Sequence, residues 1–247
     1  MFHRRPASSS WSILLGLFLT ASLAHAEAPK SLKMDGVPRV KQLKNYCGPA
    51  ALSSVLRYLG RDVSQEAIGQ AIYDGQSGAT SGADLLLYGR ENGFSAYSWN
   101  SGTADVKAKL AAGLPVIVLQ QNSLTDSSGH YRVLTGYDDN ASKFYVMDPY
   151  YDDITELSYS RCERLWRDTG HWALVIVPPA KDTFKKELDA HNPVVHMDLS
   201  YALYKRKKYE DALKEVRMAL NLEPDNTYAN SMLSKIRRAM GAGSAPR

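Results

Sequence analysis

Residues 42–52 read Gln42-Leu43-Lys44-Asn45-Tyr46-Cys47-Gly48-Pro49-Ala50-Ala51-Leu52, a polar approach to a lone thiol at the start of a helical pattern. Leu52, Val55, Leu56 and Leu59 then recur at i, i+3, i+4 and i+7. That is one apolar stripe at helical period, and Gly60 follows where a left-handed terminal residue belongs. The spacing predicts a helix over about 49–59. Pro49 suits its first turn because the missing N–H would have had no intrahelical partner there. Cys47 therefore lies beside unpaired N–H groups at the positive end of the helix dipole, where a thiolate is favoured. Placement alone leaves two readings, an activated nucleophile or a small buried hydrophobe.

The second informative run is Ser128-Gly129-His130-Tyr131-Arg132-Val133-Leu134-Thr135-Gly136-Tyr137, followed by Asp138-Asp139-Asn140 and then Lys143-Phe144-Tyr145-Val146-Met147-Asp148-Pro149. Two β-rich segments around a polar turn predict a hairpin, with His130 starting one strand and Asp148 ending the other. Such positions are neighbours in an antiparallel pair. A carboxylate there can hold one imidazole nitrogen and leave the other to take a thiol proton. Taken alone, a strand-edge histidine is more often structural than catalytic, and Asp-Pro often simply ends a strand.

Helices are expected from Ser64 to Tyr73, from a Ser81/Asp84 capping signal to Gly93, and from Thr103 to Ala112 before Gly113. Phe94 to Trp99, Pro115 to Gln120 and His171 to Val177 read as strands, the second an unbroken apolar run suited to a sheet centre. Ser160 to Trp166 reads as a short helix capped by Ser160, with the Cys162 thiol packed inside. The fold class is α+β.

The order Gln42, Cys47-Gly48-Pro49-Ala50-Ala51-Leu52, Gly129-His130-Tyr131, Thr135-Gly136-Tyr137-Asp138-Asp139 and Met147-Asp148-Pro149 resembles the papain-like double-glycine leader peptidases that process bacteriocin precursors. The resemblance runs from residue 37 to about 178. It implies a helical lobe carrying the nucleophile, packed on a bent antiparallel sheet carrying the base, with a cleft between them. It further implies Cys47 as nucleophile, His130 as general base and Asp148 as the residue orienting His130. Gln42 and the Cys47 backbone N–H would form the oxyanion hole. A neutral amide suits that position, because it donates to a developing oxyanion without protonating it.

The chain departs from the exporter-linked members of that family. It has no phosphate-binding Gly-rich Lys-Ser/Thr loop, and beyond the N-terminus no stretch of about 20 apolar residues, so neither ATP nor a membrane-spanning transporter is expected. Cleavage after Gly-Gly belongs to the exporter-linked enzymes and is not inherited by resemblance. Residues 1–26 carry Arg4 and Arg5, an apolar core from Trp11 to Leu23, and Ala24-His25-Ala26 as a small-x-small site. They read as a secretory signal peptide, which places the product in the periplasm or envelope of a bacterium, membrane-bound only if the segment is uncleaved. Its loss lowers the formal charge from +4 to +2, which gives no support for nucleic-acid binding.

Export makes a Cys47–Cys162 disulfide the competing structural reading. His3 and His25 leave with the signal, and His191 and His196 fall in the C-terminal region, so His171 is the only rival base. It is expected to be structural. No cysteine and histidine spacing suits a metal, and neither metal nor cofactor is expected.

Pro178-Pro179-Ala180 marks a boundary between a peptidase domain over 27–180 and a helical domain over 181–247. Within the latter, Leu199 to Ala212 and Ala219 to Asn226 resemble one tetratricopeptide repeat, with Lys207 standing where that motif often has Gly, and a further helix over about 227–240. One repeat cannot bury a continuous core alone. It is expected to dock on the peptidase domain, either as a partner-binding arm or as a stabilising cap. The composite expectation is an exported cysteine peptidase that cuts a peptide or protein through an acyl-enzyme. The alternatives are a silent peptide-binding module and a cell-wall amidase or transpeptidase.

Overall fold

The computed structural model describes residues 29–243. In chain order the elements are β1 (Ser31–Lys33), α1 (Cys47–Tyr58), α2 (Gln65–Ile72), α3 (Gly82–Glu91), β2 (Ser95–Asn100), α4 (Thr103–Ala111), β3 (Val116–Gln121) and β4 (Gly129–Asp138). They continue with β5 (Lys143–Met147), β6 (Ile154–Ser158), α5 (Tyr159–Trp166), β7 (Trp172–Val177), α6 (Lys185–Leu188), α7 (Pro193–Lys205), α8 (Tyr209–Leu222) and α9 (Thr227–Gly243). The signal segment expected at 1–26 lies outside the described residues.

The sheet runs β2-β7-β3-β4-β5-β6, every neighbour antiparallel, with β1 paired to β4. β3, read as a central strand from its apolar run, lies between β7 and β4. α1 packs against β4 and against α2 and α3, and its Ala51, Leu52, Val55 and Leu56 are fully buried. Full burial of such side chains contributes about 1.5–3 kcal/mol for each larger one, which anchors the thiol-bearing helix to the sheet.

Two helix starts differ from expectation. α1 begins at Cys47 itself, so Pro49 occupies its third position, still within the turn whose N–H groups lack partners. α5 is capped by Ser158, whose hydroxyl accepts from the Arg161 N–H at 3.3 Å, and not by Ser160. Ser81 does cap α3 through the Asp84 N–H, but the Asp84 carboxylate accepts the Ser81 hydroxyl at 2.6 Å instead of closing a reciprocal box. Gly60, Gly93 and Gly113 follow α1, α3 and α4 at φ of 87°, 86° and 79°, the left-handed region in which a Cβ is costly.

The chain beyond residue 180 does not stand apart. Leu188, Val195, Leu199 and Ala202 of α6 and α7 belong to the same buried cluster as the sheet and α1. The opposite side of α7 joins a smaller cluster with Ala212, Val216 and Ala219 of α8 and Ala229, Met232 and Ile236 of α9. Polar links reinforce the seam: Asn192 Nδ2 donates to the Ser98 carbonyl at 2.6 Å, Trp172 Nε1 to Asp198 at 2.8 Å, and Lys205 pairs with Asp84 at 2.8 Å. Arg206 pairs with Glu91. With Lys208, 3.7 Å from Glu91, the basic run 205–208, read from sequence as a solvated turn, therefore supplies three ion pairs to α3.

Candidate active site

Three segments converge on the cleft. The first carries Gln42 and Cys47. Its approach to α1 is pinned by Gln65, whose Oε1 accepts from the Leu43 N–H at 2.9 Å and whose Nε2 donates to the Lys41 carbonyl at 2.8 Å. Asn45 turns the chain at φ 63°, a conformation Asn tolerates better than most residues. Gly48 sits close to the neighbouring wall: a Cβ there would lie 3.2 Å from Thr80 and 3.3 Å from the Tyr131 ring, so either would have to give by a few tenths of an ångström.

The second and third segments are the ends of β4 and β5. Pairs Asp138↔Lys143, Tyr137↔Phe144 and Gly136↔Tyr145 keep one register, and after a bulge at Thr135 the pairs become Leu134↔Val146 and Val133↔Met147. Continuing that shifted register sets Asp148 opposite Arg132. Without the bulge it would face Val133, on the other side of the sheet from His130, because side chains alternate with period two. The extra residue thus brings His130, Arg132 and Asp148 onto one face.

His130 Nε2 lies 2.8 Å from Asp148 Oδ1, and both side chains are buried. This leaves Nδ1 for the Cys47 thiol, which lines the same cleft. Asp148 Oδ1 also accepts from the Tyr150 N–H at 3.0 Å, and Oδ2 accepts from Arg132 Nε at 2.7 Å. Arg132 is itself held by Gln120 Oε1 and the carbonyls of Gln121 and Asn122 at 3.3, 3.1 and 2.8 Å. Sequence reasoning missed Arg132 and Gln65. The parity of 130 and 132 on one strand was a usable signal, whereas nothing in the sequence marks Gln65.

Charge is distributed accordingly. Burial opposes ionisation of the Cys47 thiol, but bonds from His130 and the N–H groups of Tyr131 and Gly48 bring it below the ordinary thiol value. Burial also disfavours the His130 imidazolium, yet its bonds to Asp148 and Cys47 raise it above the usual histidine value. Burial works against the Asp148 charge, and the bond from His130, with the charges of His130 and Arg132, overcomes it and holds the carboxyl at about 2. The three shifts favour a thiolate, an imidazolium and a carboxylate in sequence.

Gln42 lines the same cleft of about 610 Å³ as Cys47 and His130, and its N–H donates to the Pro149 carbonyl at 2.9 Å. Its buried Oε1 has no hydrogen-bond partner among the described residues, a cost more usual at functional positions than in folding-only ones. His171 stands elsewhere, at φ 55° and 2.8 Å from Glu163, so it does have a carboxylate partner but does not line the cleft. Both cysteines are free. Burial pushes the Cys162 thiol up to about 12, and Gln120 Nε2 donates to its sulfur at 3.1 Å. No helix among the described residues is long and apolar enough to cross a membrane.

No curated protein matches the chain. Among solved structures, it is similar to the peptidase domain of Streptococcus ComA, a bifunctional ABC transporter of a quorum sensing pathway, at 22% identity. That match covers 57% of this chain and 98% of that one, with a TM-score of 0.46. It is also similar to a double glycine motif protease from an AMS/PCAT transporter, solved in complex with a leader peptide, at 21% identity. There 59% of this chain and 94% of that one are covered, with a TM-score of 0.47. A family model described as the Peptidase_C39 like family matches residues 34–174, more than half of the sequence. The chain belongs to the Peptidase_C39 like family.

Proposed function

We propose that the protein is an exported cysteine peptidase in which Cys47 is the nucleophile, His130 the general base and acid, Asp148 the residue orienting His130, and Gln42 an oxyanion donor. The observation that carries this reading is the meeting of Cys47, at the start of α1, and His130 on one cleft, with Asp148 2.8 Å behind the imidazole. The Cys47 thiolate attacks a peptide carbonyl, and the oxyanion accepts from Gln42 Nε2 and the Cys47 N–H, neither donor being spent in the helix. The His130 imidazolium then gives its proton to the departing amine, leaving a thioester. Water enters, His130 takes a proton from it, and the hydroxide releases the acid and regenerates the thiol couple.

Residues 1–26 support export to the bacterial envelope. The C-terminal helices are read as one tetratricopeptide-like repeat with a following helix, acting as a cap, because the buried side chains of α7 are shared with the sheet. The test is labelling of the full chain by an electrophilic thiol probe, together with cleavage of an envelope peptide extract. Modification at Cys47 that is lost in His130→Ala, with cleavage abolished in Cys47→Ala, supports the reading. An inert Cys47 defeats it in favour of a silent binding module.

A further inference from the structure

The loop between β3 and β4 has a chemical bias that general peptide cleavage does not require. It springs from the strand end that bears His130, since Gln121↔Gly129 is the last pair of that hairpin and Gln120↔His130 the one before. Asn122, Asp126 and Ser128 line the cleft, as does Tyr150, whose ring lies 5.5 Å from that of His130. Chemistry orients the wall. The imidazolium must hand its proton to the departing nitrogen, so the substrate residues that follow the cleaved bond pass His130, and the acyl residues lie across Cys47 from it.

On this leaving-side wall Asp126 is braced by its own loop. Asn122 Nδ2 donates to Oδ2 at 2.7 Å, and the Ser128 N–H donates to Oδ1 at 3.0 Å. Those bonds, Asn122's first, hold the carboxyl at about 2, so it is ionised wherever the thiol couple works. Among the described residues no lysine or arginine lines the cleft, and apart from the Cys47–His130 couple Asp126 is the only charged side chain lining it. The charge is accompanied by exposed apolar surface: the Tyr150 side chain is 57% exposed and Leu124, in the same loop, 48%. A fixed carboxylate and an open aromatic ring lining one cleft suit a cation on a long aliphatic stem, which ion-pairs at its tip and packs along its length.

We propose, resting on the thiol-peptidase reading above, that this wall is a subsite for a lysine or arginine at the first or second position after the cleaved bond, with Asp126 and Tyr150 as its specificity residues. The substrates are then polypeptides whose released C-terminal portion begins with a basic segment.

The test uses internally quenched peptides with Lys, norleucine or Glu at each of the two positions after an otherwise randomised bond. They are cut by the full-length protein and by Asp126→Asn and Asp126→Lys, and their binding to full-length Cys47→Ala, with and without Asp126→Asn, is read by fluorescence anisotropy. The expected result is a preference of about fivefold or more in kcat/KM for Lys over norleucine, and a larger one over Glu. The preference weakens with salt, disappears in Asp126→Asn and turns toward Glu in Asp126→Lys. Equal rates for Lys and Glu peptides, or an unchanged preference in Asp126→Asn, overturn the subsite and leave the catalytic reading standing. No cleavage, but tighter binding of Lys peptides that depends on Asp126, defeats the catalytic reading and keeps the cation site. Neither cleavage nor selective binding defeats both.

Discussion

At Asp148 one carboxylate serves two buried cations, the His130 ring and the Arg132 guanidinium, which neutralise it jointly. Replacing it by Asn removes what raises the imidazole, so His130 loses its proton at lower pH. The alkaline limb of the kcat/KM profile is then expected to move to lower pH, with a reduced maximum; an unmoved limb separates Asp148 from His130. The apparent values belong to the coupled thiol–imidazole pair, not to either residue. Stability follows the carboxylate with the opposite sign. Because the folded Asp148 carboxyl is held at about 2, below an ordinary aspartate, the stabilisation it contributes is present above the unfolded value of about 3.9. That stabilisation is lost as pH falls toward about 2. Calorimetry between pH 5 and 2 is expected to show a smaller loss in Asp148→Asn than in the wild type, since other lowered carboxylates such as Asp139 and Asp182 remain in both. Gln42→Ala is expected to lower kcat by about 100-fold through loss of one oxyanion donor, checked by single-turnover acylation.

Among the elements, the bulged β4–β5 hairpin controls the site through phase. Gly136 sits at the bulge with β1 pressed against it, since an added Cβ would lie 2.3 Å from the Leu32 carbonyl oxygen. Gly136→Ala is expected to cost about 1–3 kcal/mol in urea melts and to depress kcat/KM as the register of His130 against Asp148 is disturbed. The turn between α7 and α8 makes the opposite case. Lys207 adopts φ 60°, the conformation for which Gly is suited, so Lys207→Gly is expected to stabilise by about 0.5 kcal/mol, relieved strain exceeding the added unfolded-state freedom. Local pattern predicted α2, α3, α4 and the β4–β5 hairpin within a residue or two, from caps, glycine stops and periodicity. It passed over β1 and β6, because a three-residue edge strand and a half-exposed five-residue one carry too few apolar positions to set a period.

Over the molecule as a whole, α7 is the shared member of two buried clusters, facing the sheet on one side and α8 and α9 on the other. A chain ending at residue 181 loses Leu188, Val195, Leu199 and Ala202 from the main cluster and is expected to lose its cooperative melting transition. One ending at 206 keeps them and is expected to melt cooperatively at a lower Tm. Equal melting of both chains would show that α7 adds nothing to the core.

Cys47, His130 and Asp148 were legible as candidates in the linear chain, as was the α+β class, because helix starts, strand alternation and turn residues are local effects of backbone sterics and side-chain shape; Gln42 was a candidate only through the family resemblance. Their meeting was not. A single extra residue at Thr135 decides which face Asp148 occupies, and Arg132, Gln65 and the loop carboxylate of Asp126 acquire their partners across intervals of 16, 22 and 4 residues. Contacts of that kind depend on how packed elements fall against one another in space, and the longer of them have no periodic trace in the order of the residues.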